Sequence, residues 1–251
     1  MSGPECRSTH VAGLPHLDAD TLSEEWALTQ SLGLHWQLLA RSLGVQPSDW
    51  RDSTGERVYA AVLWLTFRID PQAPMVEDDR FVMRTRLAAI RKPYALSRTR
   101  IGWGRGTGAE VGLLTGFVRR HQHGTNKKFA TVRDIWTDRD HHAHHVETLL
   151  DRHHAARSAP LPQGPAGRHR VNRLVDFNAA GLFYFRNFVR LARMAEGAVS
   201  SAPPVQREAW FFGNADHAQQ LDLHLQPRDE GLDTAVLAED GRCLFRSHAQ
   251  A

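Results

Sequence analysis

Asp176-Phe177-Asn178-Ala179-Ala180-Gly181-Leu182-Phe183-Tyr184-Phe185-Arg186-Asn187-Phe188 is the stretch whose reading decides the fold. Val171, Leu174 and Val175 lead into it with the apolar, β-branched character of a strand. From Gly181 the apolar residues Leu182, Phe185, Phe188, Val189, Ala192 and Ala195 recur at three- and four-residue steps, the period of a helix. Asn178 stands where an N-cap is expected, so the spacing predicts a helix over 178–199. Such a start offers unpaired N–H groups and a positive dipole end to an electron-rich oxygen. The same pattern also fits a capped core helix that follows a strand and has no catalytic role.

Around this helix the second half of the chain reads as strands. After the break at Pro203-Pro204, β-prone runs cover 205–212, 220–226, 232–238 and 242–248, and Asp240-Gly241 marks a hairpin between the last two. The first half has the same order. Trp26, Leu28, Leu32, Trp36, Leu39 and Leu43 follow Ser23 at helical steps up to Gly44. β-prone runs then cover 58–69, 81–90, 95–103, 109–120 and 129–132. Glycines 102, 104, 106 and 108 lie between two strand patterns with no helix after them, so they read as a hairpin and not as a phosphate loop. These features predict a flexible leader over 1–20, a helix-and-sheet domain over 21–137, a His/Pro-rich linker over 138–165 and a second such domain over 166–251.

The 251 residues allow one large domain or two small ones, and 41% hydrophobic with 24% charged residues is the balance of a soluble globular protein. The net charge of +3 comes with only three lysines, Lys92, Lys127 and Lys128, and gives no reason to expect a nucleic-acid partner. Cys6 and Cys243 form no disulfide framework and no metal spacing. His141 and His145 are four apart, but no third ligand stands at a fitting position, so a solvated helix is expected there and no metal. The opening residues lack the pattern of a signal peptide and no stretch is long enough to span a bilayer, so a cytoplasmic protein without a membrane partner is expected.

The run Asp176-x-Asn178-x-x-Gly181 followed by Tyr184-Phe185 resembles the signature of hot-dog acyl-CoA enzymes. Further motifs lie in order along the chain. They are Leu22-Ser23-Glu24-x-Trp26 with His35-Trp36, Gly55-x-Arg57-Val58-Tyr59-Ala60, and Gly116-Phe117-Val118-x-Arg120 leading to Thr125-Asn126. Arg207-Glu208-x-x-Phe211-Phe212-Gly213-Asn214-Ala215-Asp216 completes the set, which as a whole resembles the LnmK-type bifunctional acyltransferase/decarboxylases of polyketide biosynthesis. The resemblance implies an α+β double hot-dog, with two long central helices each wrapped by a curved antiparallel sheet. It implies decarboxylation of a malonyl- or methylmalonyl-type CoA thioester and transfer of the acyl group to an acyl carrier protein. Its substrates would be acyl-CoA and the carrier protein, no cofactor is needed, and a homodimer is open.

In that family a tyrosine was proposed as acyl acceptor, and Tyr59 matches it through the short Gly-x-Arg-x-Tyr-Ala run. A phenol needs activation to serve as a nucleophile, so orientation of the substrate is the milder role, and a packed strand aromatic the simplest. Asn178 stands where the thioesterase branch carries a second acidic residue. An amide cannot act as carboxylate nucleophile or base, although it can hydrogen-bond a carbonyl or an enolate. Gly181, Arg119, Arg120 and Asn126 complete the expected substrate site, with Arg119, Arg120, Lys127 and Lys128 read either as a solvated loop or as a landing site for CoA phosphate or carrier protein. The alternatives in view are a hot-dog acyl-CoA or acyl-ACP thioesterase, a dehydratase, and a non-catalytic carrier-protein-binding hot-dog protein.

Overall fold

The computed structural model describes residues 5–18, 21–47, 49–104, 106, 108–122, 124–135 and 140–251. The expected boundary at 137/138 and parts of the expected leader lie outside them. The chain divides into two compact units, Met1–Arg119 with Ala130–Asp151, and Arg120–Phe129 with Arg152–Ala251.

The first unit contains β1 (Glu5–Val11), α1 (Glu24–Leu43), β2 (Tyr59–Ile69), β3 (Arg80–Arg91), β4 (Tyr94–Trp103), β5 (Ala109–Arg120) and the short β6 (Phe129–Thr131). Its sheet runs β1-β3-β4-β5-β2, with each neighbouring pair antiparallel. Ser23 caps α1 by accepting from the Trp26 amide, and Gly44 ends it in the left-handed region at φ 67°. Leu28, Leu32, His35 and Leu39 recur on one face of α1 and are buried. The lower part of that face packs on Ala60, Leu87, Ala95 and Phe117. Each large apolar side chain there contributes about 1.5–3 kcal/mol by leaving water. Residues 5–11, read from sequence as leader, form β1. The His10 ring stacks on Phe81 at 5.0 Å and meets Trp26 at 5.4 Å, aromatic contacts that hold the strand in place.

The chain continues through α2 (Ala143–Ser158), a polar helix inside the expected linker, to β7 (Gly164–Arg170), α3 (Arg173–Asp176), α4 (Phe185–Glu196), β8 (Gln206–Phe211), β9 (Gln220–Arg228), β10 (Gly231–Ala238) and β11 (Cys243–Gln250). The sheet of the second unit runs β8-β11-β10-β9-β7, again antiparallel throughout. α4 lays Phe188 on it, stacked on Phe245 at 5.6 Å, while Phe211 meets Phe245 at 5.1 Å. Arg207 and Glu196 are buried in the same layer as a bidentate pair, with both N···O distances at 2.7 Å.

The expectation of two long central helices is therefore corrected. α1 has 20 residues, but the helix expected over 178–199 is α4, with 12. Two local causes shorten it. Gly181 takes φ 68°, which leaves the helical path, and Phe177 and Phe183 face each other as an antiparallel bridge. The strand expected from Val171 to Val175 does not form: β7 lies earlier in the chain and ends at Arg170. Asn172 accepts from the Leu174 amide at 2.9 Å and starts the helical turn α3 instead.

Candidate functional site

The loop between α3 and α4 is built around two polar residues. Asp176 is fully buried. Its Oδ2 accepts from the Asn172 amide and pairs with His169 Nε2, both at 2.8 Å, and Oδ1 accepts from Arg190 Nη2 at 3.1 Å. Its backbone carbonyl accepts from Tyr184 N at 2.8 Å and Asn187 Nδ2 at 3.0 Å, so the loop is tied to the start of α4. Asn178 Oδ1 accepts from the amides of Ala180 at 3.0 Å and Leu182 at 3.1 Å. Asn178 is thus the centre of an Asx-type turn and not the cap of α4, whose cap residue is Tyr184.

This changes which donors the site can offer. Gly181 N donates to Asn178 O at 2.8 Å, Phe183 N to Asn214 Oδ1 at 2.8 Å and Tyr184 N to Asp176 O. With Ala180 and Leu182 held by Asn178, every amide from 180 to 184 is already committed. The turn uses the oxygen of the Asn178 side chain, and its Nδ2 group has no partner among the described residues.

Arg120 and Asn126 hold the loop from outside. Arg120 Nη2 donates to the carbonyls of Ala180 at 2.5 Å and Gly181 at 3.0 Å, and Asn126 Nδ2 donates to Gly181 O at 2.9 Å. Arg120 Nε in turn bonds Asn126 Oδ1 at 3.0 Å. Asp216 fixes that segment by accepting from the Asn126 amide at 2.6 Å and the Thr125 hydroxyl at 2.9 Å. Four residues singled out from sequence, Asn178, Gly181, Arg120 and Asn126, therefore meet in one loop assembly.

Tyr59 and Arg119 belong to the other unit. Tyr59 pairs with Val118, one residue out of phase with the helix-facing Ala60–Phe117 pair, so its ring lies on the sheet face away from α1. The Arg57 guanidinium sits 5.8 Å from that ring's centre. Arg119 Nη1 donates to Asp52 at 2.8 Å. The Thr54 hydroxyl first, then the Glu56 and Thr54 amides and Arg119, hold the Asp52 carboxyl below its ordinary value against the opposing effect of desolvation. His35 is fully buried on α1, with Nε2 2.8 Å from the Thr115 hydroxyl, and burial pushes its imidazole down to about 3. It is a neutral core group at neutral pH.

Sequence reasoning missed His169, Asn214 and the role of Asp176. His169 pairs with Leu221, a buried residue of β9, so its ring shares the sheet face turned towards α4. Its side chain is 24% exposed, and its Nδ1 has no partner among the described residues. Asp176 holding Nε2–H fixes the tautomer that leaves a lone pair on Nδ1. Asn214 lies in a quoted motif, but its bidentate clamp on the Phe183 backbone, at 2.8 and 3.0 Å, has no local sequence signal. Among the described residues no group of three or more His, Cys, Asp or Glu is placed to hold a metal ion, and no helix is long and apolar enough to cross a membrane.

No family model and no curated protein matches this chain. Solved structures do match it along its length. The 12:0-ACP thioesterase from Umbellularia californica aligns with a TM-score of 0.70 at 8% identity, covering 100% of this chain and 98% of that one. An acyl-ACP thioesterase from Bacteroides thetaiotaomicron aligns with a TM-score of 0.67 at 9% identity, covering 98% and 97%. A MaoC-like dehydratase from Phytophthora capsici aligns with a TM-score of 0.52 at 8% identity, covering 99% and 96%. At these identities the likeness concerns the fold, and it is the fold of hot-dog thioesterases and MaoC-like dehydratases.

Proposed function

We propose that this chain is a hot-dog enzyme that hydrolyses acyl thioesters presented on an acyl carrier protein. The observation that carries the reading is the His169–Asp176 pair, set in the same loop assembly as Asn178. A partly exposed imidazole whose second nitrogen is fixed by a buried carboxylate is the arrangement of a general base. His169 Nδ1 takes a proton from water as the water oxygen attacks the thioester carbon. The carbonyl oxygen becomes an oxyanion, which the Asn178 Nδ2 group stabilises. The tetrahedral intermediate expels the thiolate, which takes the proton back from His169. The products are a free acid and the carrier thiol. The thioesterases among the most similar folds support this substrate class.

His169→Gln tests the assignment on acyl-carrier and acyl-pantetheine substrates. Removing the base should lower kcat by about 10²–10⁴-fold. Near wild-type rates in the variant would end the assignment.

The second reading, decarboxylation with acyl transfer through Tyr59, rests on the ordered sequence motifs. It needs an oxyanion site for an enolate, and the committed amides over 180–184 leave Asn178 Nδ2 to fill that need. A covalent acyl mass on the Tyr59 peptide after incubation with methylmalonyl-CoA, lost in Tyr59→Phe, would favour it over hydrolysis.

A further inference from the structure

α4 holds Asp176 through two polar side chains. Asn187 and Arg190 stand three residues apart, which makes them neighbours on one side of the helix. Asn187 Nδ2 donates to the Asp176 backbone carbonyl at 3.0 Å, and Arg190 Nη2 donates to the carboxylate Oδ1 at 3.1 Å. Phe188, Val189 and Ala192 are buried and supply the apolar packing of this stretch, whereas the Arg190 side chain is half-buried. The other carboxylate oxygen, Oδ2, serves two donors, the Asn172 amide and His169 Nε2, both at 2.8 Å.

The carboxylate is fully buried, so its negative charge needs a counter-ion. Two groups in contact with it can supply one. The Arg190 guanidinium is always charged. The His169 imidazole is charged only with a proton on both nitrogens. The two choices have opposite consequences for the base. With Arg190 as counter-ion, His169 stays neutral, with its proton on Nε2 and a lone pair on Nδ1. With His169 as counter-ion, Nδ1 carries a proton and cannot take one from water. We infer that Arg190 is a positioning residue for the His169 base: its guanidinium balances the Asp176 charge and anchors Oδ1, which holds Oδ2 against His169 Nε2–H and leaves the Nδ1 lone pair available. The inference rests on the preceding reading that His169 is the base. In this role Arg190 acts through Asp176 and not on the thioester.

The test compares wild type with Arg190→Met, Arg190→Gln and Arg190→Lys in the full chain. ¹⁵N NMR at neutral pH reads the protonation of the His169 ring, and His169→Gln identifies its signals among the 15 histidines. Wild type and Arg190→Lys should show an unprotonated Nδ1 and a proton on Nε2. Arg190→Met should show a proton on Nδ1 in most molecules. Arg190→Gln keeps a donor but no charge, should behave as Arg190→Met does, and replaces it if the methionine variant fails to fold. On acyl-carrier and acyl-pantetheine substrates, Arg190→Met should lower kcat by about 10–10²-fold with KM unchanged, and Arg190→Lys should keep most of the rate. An Nδ1 that stays unprotonated in both uncharged variants overturns the inference. In that case a raised KM would mark Arg190 as a substrate contact, and a lowered melting temperature alone would mark it as a counter-ion for stability. A proton on Nδ1 already in wild type also overturns it. An Nδ1 that gains its proton while kcat stays at the wild-type value, or in a protein that hydrolyses no thioester, upholds the control of His169 by Arg190 and removes the hydrolytic reading instead.

Discussion

Replacing His35 isolates one source of acid sensitivity. Burial lowers the His35 imidazole from 6.5 to about 3 in the folded chain, while the unfolded chain keeps the ordinary value. Between those values the unfolded state binds a proton that the folded state refuses. Stability is therefore intact above about pH 6.5 and falls as pH drops towards 3. From pH 7 to pH 5 this group alone should remove about 2 kcal/mol, at 1.36 kcal/mol for each unit below 6.5. His10, His145 and His153 are also lowered, with desolvation the largest cause in each, and they act in the same direction. The readout is therefore the difference between wild type and His35→Gln, a side chain that still reaches for the Thr115 hydroxyl and does not titrate. Urea unfolding followed by circular dichroism at pH 7, 6 and 5 should show wild type losing about 2 kcal/mol more than the variant across that range. Parallel pH dependence in the two proteins would refute the argument and mean that a proton reaches His35 in the folded state.

The Glu196–Arg207 pair gives a second stability test. Arg207→Met strands a buried carboxylate and should cost about 3–5 kcal/mol, whereas Arg207→Met with Glu196→Leu should recover most of that loss in the same unfolding assay. Asn178 separates loop support from chemistry, because its oxygen holds two amides while its Nδ2 group is the proposed oxyanion donor. Asn178→Asp keeps the acceptor, so the melting temperature should stay near wild type while kcat falls about 10²–10³-fold. Asn178→Ala should lose about 1–2 kcal/mol of stability as well as the rate. A rise in hydrolysis in the Asn178→Asp variant would transfer the role of base from His169 to the new carboxylate.

The legible parts of the fold are those fixed by local pattern. α1 begins at Ser23 and ends at Gly44 as its cap residues require, and the runs at 81–90 and 109–120 form β3 and β5 with shifts of a residue or two. Periodicity misjudges the second helix because the residues before it, Asn178 to Phe183, fit the helical period equally well. What withdraws them from the helix is distant in sequence. Asn214 grips the Phe183 backbone across 31 residues, and Arg120 reaches the Ala180 carbonyl across 60. No periodicity count contains those bonds. The start of β7 is hidden for another reason: Gly164 and Pro165 read as linker, yet an edge strand tolerates proline because one side of its backbone needs no partner.

The same distinction governs the site. The signature Asp-x-Asn-x-x-Gly locates the candidate loop, but the chemical role open to each residue depends on which of its atoms the fold has already used. At a helix start, Asn178 would commit its oxygen to a cap while the amides around Gly181 stayed open to a substrate oxygen. In the loop that forms, the amides over 180–184 all have partners. In the proposed hydrolysis, the Asn178 side chain would then take over oxyanion stabilisation from the amides around Gly181. The proposed base likewise is not a carboxylate at position 178, which this chain lacks, but His169, seven residues before the Asp176 that it contacts. A residue pattern reports which groups are brought to one place. Only the hydrogen bonds of the folded loop report which lone pairs and protons remain for a substrate, and among the described residues the His169 Nδ1 and the Asn178 Nδ2 group are without partners.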